Sequence, residues 1–279
     1  MCRASNHNFA PASRRAGLTL LELVLAMTVS TILVAALSVL ASATRQTADF
    51  SAGQASALQH GRVVLDRISR FVNGAYATET YPGVVVVDET VSSNRYPDTL
   101  VIWNPANGVP SNVAGPPLVR ELVIIAPDPN DPKRLVEFTA PTDARTVQLN
   151  DASLNTSSGR TFITSIKTAS TTTKTLLTPL LRTAATTTNG NTLRAAVRFE
   201  CELHPTAAEI TSFRNNSLAW EDLPWPQGIF SSSTGMRQVW LRTELQLVSK
   251  DYTAAGTLPA DAVGLPFLGS ATLYYNLTK

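Results

Sequence analysis

The chain is short of the residues that most protein chemistry needs. Among 279 residues there are only 2 cysteines and 3 histidines, so Cys2 and Cys201 supply neither a disulfide framework nor the paired spacing of a zinc site. Charged residues amount to 16%, and Lys+Arg 23 nearly balances Asp+Glu 21, which leaves no basic footprint for nucleic acid. The small excess is local: Arg3, Arg14 and Arg15 precede the first acidic residue, Glu22, and beyond Gly17 there are 20 basic residues against 21 acidic ones. No Gly-x-Ser-x-Gly elbow, His-Glu-x-x-His pair or phosphate-binding glycine loop occurs. His7 lies before Gly17, His60 in a helical run and His204 before Pro205, none in a catalytic pattern. The expectation is a chain that is not an enzyme and holds no cofactor or metal.

Its hydrophobic content of 44% excludes a disordered chain and suffices for a sizeable core. The most concentrated apolar segment is amino-terminal. From Leu23 to Thr44 there are 22 residues without a charge, and at about 1.5 Å per residue a helix of that length spans roughly 33 Å, enough for a hydrocarbon core of about 30 Å. Basic residues on one side of such a run are a membrane-targeting asymmetry. Three readings follow: a secretory signal cut after Ala41-Ser42-Ala43, a plain single-pass anchor, or a segment with a further use for Glu22, whose carboxylate is costly inside an apolar helix.

The run Arg14-Arg15-Ala16-Gly17-Leu18-Thr19-Leu20-Leu21-Glu22-Leu23-Val24 resembles the signal of type IV prepilins and type II secretion pseudopilins. That resemblance implies that a prepilin peptidase cuts between Gly17 and Leu18 and methylates the amino group of Leu18, with Arg14 and Arg15 held on the cytoplasmic side. The family most often has phenylalanine where this chain has Leu18. It also implies that Glu22 pairs with the new amino terminus of a neighbouring subunit and so acts as an assembly key. Implied partners are the peptidase, other pilin or pseudopilin subunits, the bacterial inner membrane and, as cargo, a secreted substrate; the head would lie in the periplasm. The length and the stretch Arg62-Val63-Val64-Leu65-Asp66-Arg67-Ile68-Ser69-Arg70 are similar to larger minor subunits, the J kind of pseudopilin or the W kind of minor pilin.

Beyond Arg45 no proline appears until Pro82, and Leu58, Leu65, Ile68 and Val72 mark a helical stripe with Arg62, Asp66, Arg67 and Arg70 interleaved. Asn73-Gly74 is its stop. Short β-branched runs follow at Val84 to Val87, Leu100 to Trp103, Val119 to Ala126 and Leu135 to Phe138. Two later segments alternate strictly: Ala195, Val197, Phe199, Cys201 and Leu203, then Val239, Leu241, Leu245 and Leu247, and each predicts a half-buried antiparallel strand. Ala271 to Leu277 predicts a last strand.

The fold class expected is α+β, a long amino-terminal helix packed on a mainly antiparallel sheet. The divisions are a leader at 1–17, a membrane half of the helix at 18–44, an amphipathic half at 45–74 and a β-rich head at 75–279. A Thr/Ser-rich insertion with a hairpin is placed at about 150–192, where Ser158-Gly159 and Asn189-Gly190 read as turns. Cys201, on the apolar side of its strand, reads as a buried thiol. Asp128-Pro129-Asn130-Asp131 is either a solvated turn or a loop of calcium-type oxygen ligands. The loop around Trp220 and Trp225 either faces a partner or folds back over the sheet.

Overall fold

A computed structural model describes residues 19–91, 94–113, 115–185, 193–226, 229–249 and 264–279. The chain divides into two compact units, residues 1–51 and 52–279. Helix α1, Leu20–Asn73, contributes to both. In the first unit every described residue is exposed.

In the second unit α1 buries Gly53, Ala57, Gly61, Val64, Ile68 and Val72. This face is rotated from the expected one. Ile68 and Val72 are in it, but Leu58 and Leu65 sit one residue on from Ala57 and Val64, about 100° around the helix, and Leu58 stays 44% exposed. Small residues win these positions because the neighbouring strand comes close: a Cβ on Gly61 would collide with the Phe267 ring, and one on Gly269 would lie 2.8 Å from Leu65 Cδ2. The helix ends at Asn73, where Gly74 N–H donates to the Arg70 carbonyl at 3.0 Å.

The first sheet is an antiparallel meander. Strands β1 (Val84–Val91), β2 (Asn94–Trp103), β3 (Leu122–Asp128) and β4 (Asp131–Thr139) pair in sequence order. Val119 to Glu121, expected as strand, form a 3-10 turn that leads into β3. Helices α2 (Asp151–Leu154) and α3 (Ser157–Thr168) come next, and β5 (Thr173–Thr178) closes the sheet beside β4. The Thr/Ser-rich stretch is therefore built into the fold. Ser158-Gly159, read as a turn, begins α3, whose amino end is capped by Thr156 accepting from Gly159 N–H at 3.0 Å. Strands β6 (Thr183–Ala185) and β7 (Leu193–Ala195) pair antiparallel, the second beyond the bounds given to the insertion; Asn189-Gly190 lies outside the described residues.

Strand β8 (Val197–His204) and helix α4 (Ala207–Arg214) precede β9 (Ile229–Ser231), β10 (Thr234–Leu247) and β11 (Leu265–Thr278). The second sheet runs β11-β10-β8, with β9 also on β10. The two alternating segments of the sequence pair as expected, Val197 opposite Leu245, Cys201 opposite Leu241 and Leu203 opposite Val239.

Burial explains why the two sheets read differently in the sequence. The first sheet is covered on both faces. Leu100, Ile102 and Ile125 pack with Val64 and Ile68 of α1, while Val101, Trp103, Ile124 and Phe138 pack with Leu154, Ile163 and Ile166 of α2 and α3. A strand buried on both sides must be apolar throughout. The second sheet contributes Phe199, Val239, Leu241, Leu245 and Leu273 to the core beneath α1, and its other face is solvated, which enforces alternation.

Candidate functional site

The amino-terminal segment carries the chemistry that the sequence singles out. Gly17, Leu18, Arg14 and Arg15 lie outside the described residues. Glu22 sits in the first turn of α1, where its Oε2 accepts from Thr19 N–H at 2.9 Å and from Thr19 Oγ1 at 3.0 Å, while Glu22 N–H donates to Thr19 Oγ1 at 3.3 Å. This is a reciprocal capping box. It satisfies two donors at the end of the helix and places the carboxylate beside the start of the described chain.

The helix beyond is apolar and unpartnered in its own unit, with Leu25, Ile32, Leu37 and Leu40 among the exposed side chains. Four of its hydroxyls turn inward: Thr28 donates to Leu25 O at 2.8 Å, Thr31 to Met27 O at 2.7 Å, Ser38 to Val34 O at 2.8 Å and Thr44 to Leu40 O at 2.8 Å. The protons of these four are thus satisfied by the preceding turn, which suits a solvent that offers no hydrogen bonds. Together with the charge-free length, this defines a membrane-anchoring helix with one carboxylate at its capped end.

The family described as the prokaryotic N-terminal methylation motif matches residues 12–38. The match makes the amino-terminal segment similar to that of type IV pilins and pseudopilins, and the motif implies processing by prepilin peptidase and assembly with other pilin subunits. No curated protein and no solved structure matches the chain.

The other residues noted in the sequence take structural places in the head. Cys201 Sγ lies 3.8 Å from the Val84 carbonyl oxygen, and burial, followed by the nearby Asp151 and Glu202, pushes its thiol up to about 12. At neutral pH it is protonated and a poor nucleophile. It lines a cavity of about 510 Å³ with Val84, Val86, Asp88, Phe199 and Leu203, between the edges of β1 and β8. His204 Nε2 is 3.4 Å from Glu202 Oε2 on the surface. Among the described residues no three His, Cys, Asp or Glu side chains converge as a metal site.

Asp128 closes the β3–β4 turn, accepting from Asn130 N–H at 3.1 Å, with Lys174 Nζ at 3.7 Å from its Oδ1; the local geometry is that of a turn. Trp220 and Trp225 are both buried, ring centroids 4.5 Å apart, against Ile210, Leu223 and Leu277. Their loop folds back over the sheet.

One polar cluster had no signal in the sequence. Asp98 is 3% exposed. Arg194 reaches from β7 to Asp98 Oδ2 at 3.3 Å and Glu89 Oε2 at 2.5 Å, and buried Lys167 donates to Thr99 at 3.4 Å. Burial raises the Asp98 carboxyl to about 6, helped by Glu89 and opposed by Lys167, Arg194 and Thr99. The four charges come from β1, β2, α3 and β7, so only the tertiary fold assembles them.

Proposed function

We propose that this protein is a minor subunit of a type IV pilus or type II secretion pseudopilus, inserted through α1 and assembled through it. The observation that carries the reading is the coincidence of the methylation motif at 12–38 with a capped helix whose charge-free stretch from Leu23 to Thr44 is of spanning length. Peptidase cleavage after Gly17 makes Leu18 the methylated terminus and removes Arg14 and Arg15. Glu22, four residues on, then offers a carboxylate to the amino terminus of a neighbour, an ion pair that offsets the cost of burying both charges only when helices stand in the correct axial register. The head projects into the periplasm while the helix is in the inner membrane, and becomes the outward part of the filament, where it meets other subunits and secreted substrate. The length of the chain and the size of its two-sheet head support reading it as one of the larger minor subunits.

The test is the intact mass of the protein extracted from its native membrane. A mass equal to residues 18–279 plus one methyl group is expected, and Gly17→Val should leave the full-length mass. An unprocessed wild-type chain, or one cut after Ala43, overturns the reading.

A further inference from the structure

The four outer edges of the two sheets are not treated alike. On β1 the side-chain amide of Asn155 takes the place of a missing strand: its Nδ2 donates to Val86 O at 3.0 Å and its Oδ1 accepts from Asp88 N–H at 2.8 Å. Strand β8 carries Arg198, Glu200 and Glu202 and faces β1 across the cavity. Strand β5 is 6 residues long and carries Lys174. Short length, charge and side-chain cover are the usual guards of an edge. Strand β11 is an edge of 14 residues, without a charged residue from Leu265 to Thr278.

The ladder register shows which of its backbone groups are open. Gln246 N–H donates to Ala196 O at 2.9 Å, so the even-numbered residues of β10 turn their backbone toward β8 and the odd-numbered ones toward β11. The pairing of β10 with β11 has no register shift, Val239 opposite Leu273 and Leu241 opposite Ala271. On β11 the odd-numbered residues therefore bond to β10. Leu268, Ser270, Thr272, Tyr274 and Asn276 aim both N–H and C=O away from it, over a length of about 27 Å at 3.4 Å per residue. The same residues face their side chains outward, with Leu268 66% exposed.

Among the described residues this edge is continuous with a flank of α1 that is left uncovered. Leu65, Asp66 and Ser69 of α1 border a groove of about 260 Å³ whose other wall is Gly269, Ser270 and Ala271. Leu58, one heptad before Leu65, extends the apolar flank. A subunit packed along α1 in an assembly arrives at this groove and at the open strand beside it. We propose that the edge of β11 from Leu268 to Asn276 accepts an extended strand of a neighbouring pilin-type subunit, which pairs with its five open backbone positions and covers Leu58 and Leu65. The inference rests on the pilin-type reading above. Main-chain pairing supplies affinity, and the uncharged edge strand favours a partner strand without charges directly beside Leu268, Thr272 and Tyr274.

The test uses the full chain in its native membrane, with Tyr274 replaced by the photo-crosslinking residue p-benzoylphenylalanine. Illumination should join it to a second polypeptide that carries an N-terminal methylation motif. Thr272→Pro removes an outward N–H without touching the bonds to β10, and Thr272→Lys puts a charge on the edge with the backbone intact. Each should lower the adduct yield about tenfold, with processing after Gly17 unchanged. If Thr272→Pro lowers the thermal midpoint, Thr272→Lys decides. An adduct confined to the same chain, one with a protein lacking the motif, no adduct at all, or a yield unaffected by Thr272→Lys overturns the edge proposal while a processed, co-purifying protein leaves the pilin-type reading standing. A chain not processed after Gly17 overturns both.

Discussion

The guanidinium of Arg67 on α1 meets the carboxylate of Glu137 on β4 in a two-point contact, Nε to Oε2 at 3.1 Å and Nη2 to Oε1 at 3.2 Å, with the same guanidinium 4.5 Å from the Phe71 ring centroid. Glu137 is buried and Arg67 is about half exposed. The pair ties the helix to the sheet at a fixed axial position. Arg67→Ala leaves a buried carboxylate without its cation and should cost about 1 to 3 kcal/mol of unfolding free energy in denaturant titration. Arg67→Lys, a point charge without the fork, should recover only part of that.

Phe199 lies on β8 beneath α1 and is 1% exposed. Phe199→Ala should destabilise the head by about 3 to 5 kcal/mol, the cost of a lost ring and the cavity it leaves. Phe199→Asp adds an unpaired buried charge and should prevent folding. Thermal unfolding of the detergent-solubilised protein measures both, and an unchanged midpoint for the alanine variant would remove Phe199 from the core.

Asp98 gives the head a pH dependence of definite sign. Its carboxyl is raised from 3.8 to about 6 in the fold, so the folded state binds the proton more tightly than the unfolded chain. The favourable contribution is complete below the unfolded value and is lost as pH rises through about 4 to 6, a loss of about 3 kcal/mol for a shift of this size. Asp98→Asn removes this titration. The difference in unfolding free energy, variant minus wild type, should rise from pH 4 to pH 7; a flat difference would refute the assignment.

Glu22 caps α1 with Thr19, and the assembly role proposed above rests on its charge. Glu22→Gln keeps an acceptor for Thr19 and removes the charge, whereas Glu22→Ala removes both. Both variants should be inserted and processed. Co-purification with other filament subunits should fall for both, since the unpaired partner charge costs about 3 to 5 kcal/mol when buried. Normal recovery of the glutamine variant together with loss of the alanine variant would assign Glu22 to capping alone.

How far the sequence discloses this architecture depends on what each segment packs against. The alternation at Phe199, Cys201, Leu241 and Leu245 is legible because one face of their sheet is wet, and the unbroken runs at Leu100 to Trp103 and Leu122 to Ala126 because both faces of theirs are covered. The buried stripe of α1 is not legible from large apolar residues, since Gly53, Ala57 and Gly61 lie in it and Gly61 is so close to the Phe267 ring that a Cβ would collide. Helix α3 is hidden by threonines and a glycine whose strand and turn preferences are overridden by the Thr156 cap and the burial of Ile163 and Ile166. The motif around Glu22 is readable because its spacing is local. The charges around Asp98 are not, because Glu89, Asp98, Lys167 and Arg194 are brought together only by long-range pairing.

The inward-turned hydroxyls of Thr28, Thr31, Ser38 and Thr44 bear on how α1 changes surroundings. A side chain whose hydrogen bond is made within its own helix has nothing to exchange when lipid is replaced by protein. Moving this helix from a bilayer into a bundle of like helices leaves those hydroxyl bonds intact, so the transfer is close to neutral for every one of these groups, and the balance is set by packing and by the one carboxylate at the helix end. For these four hydroxyls the two environments are equivalent, and the segment can return to lipid without breaking any of their bonds.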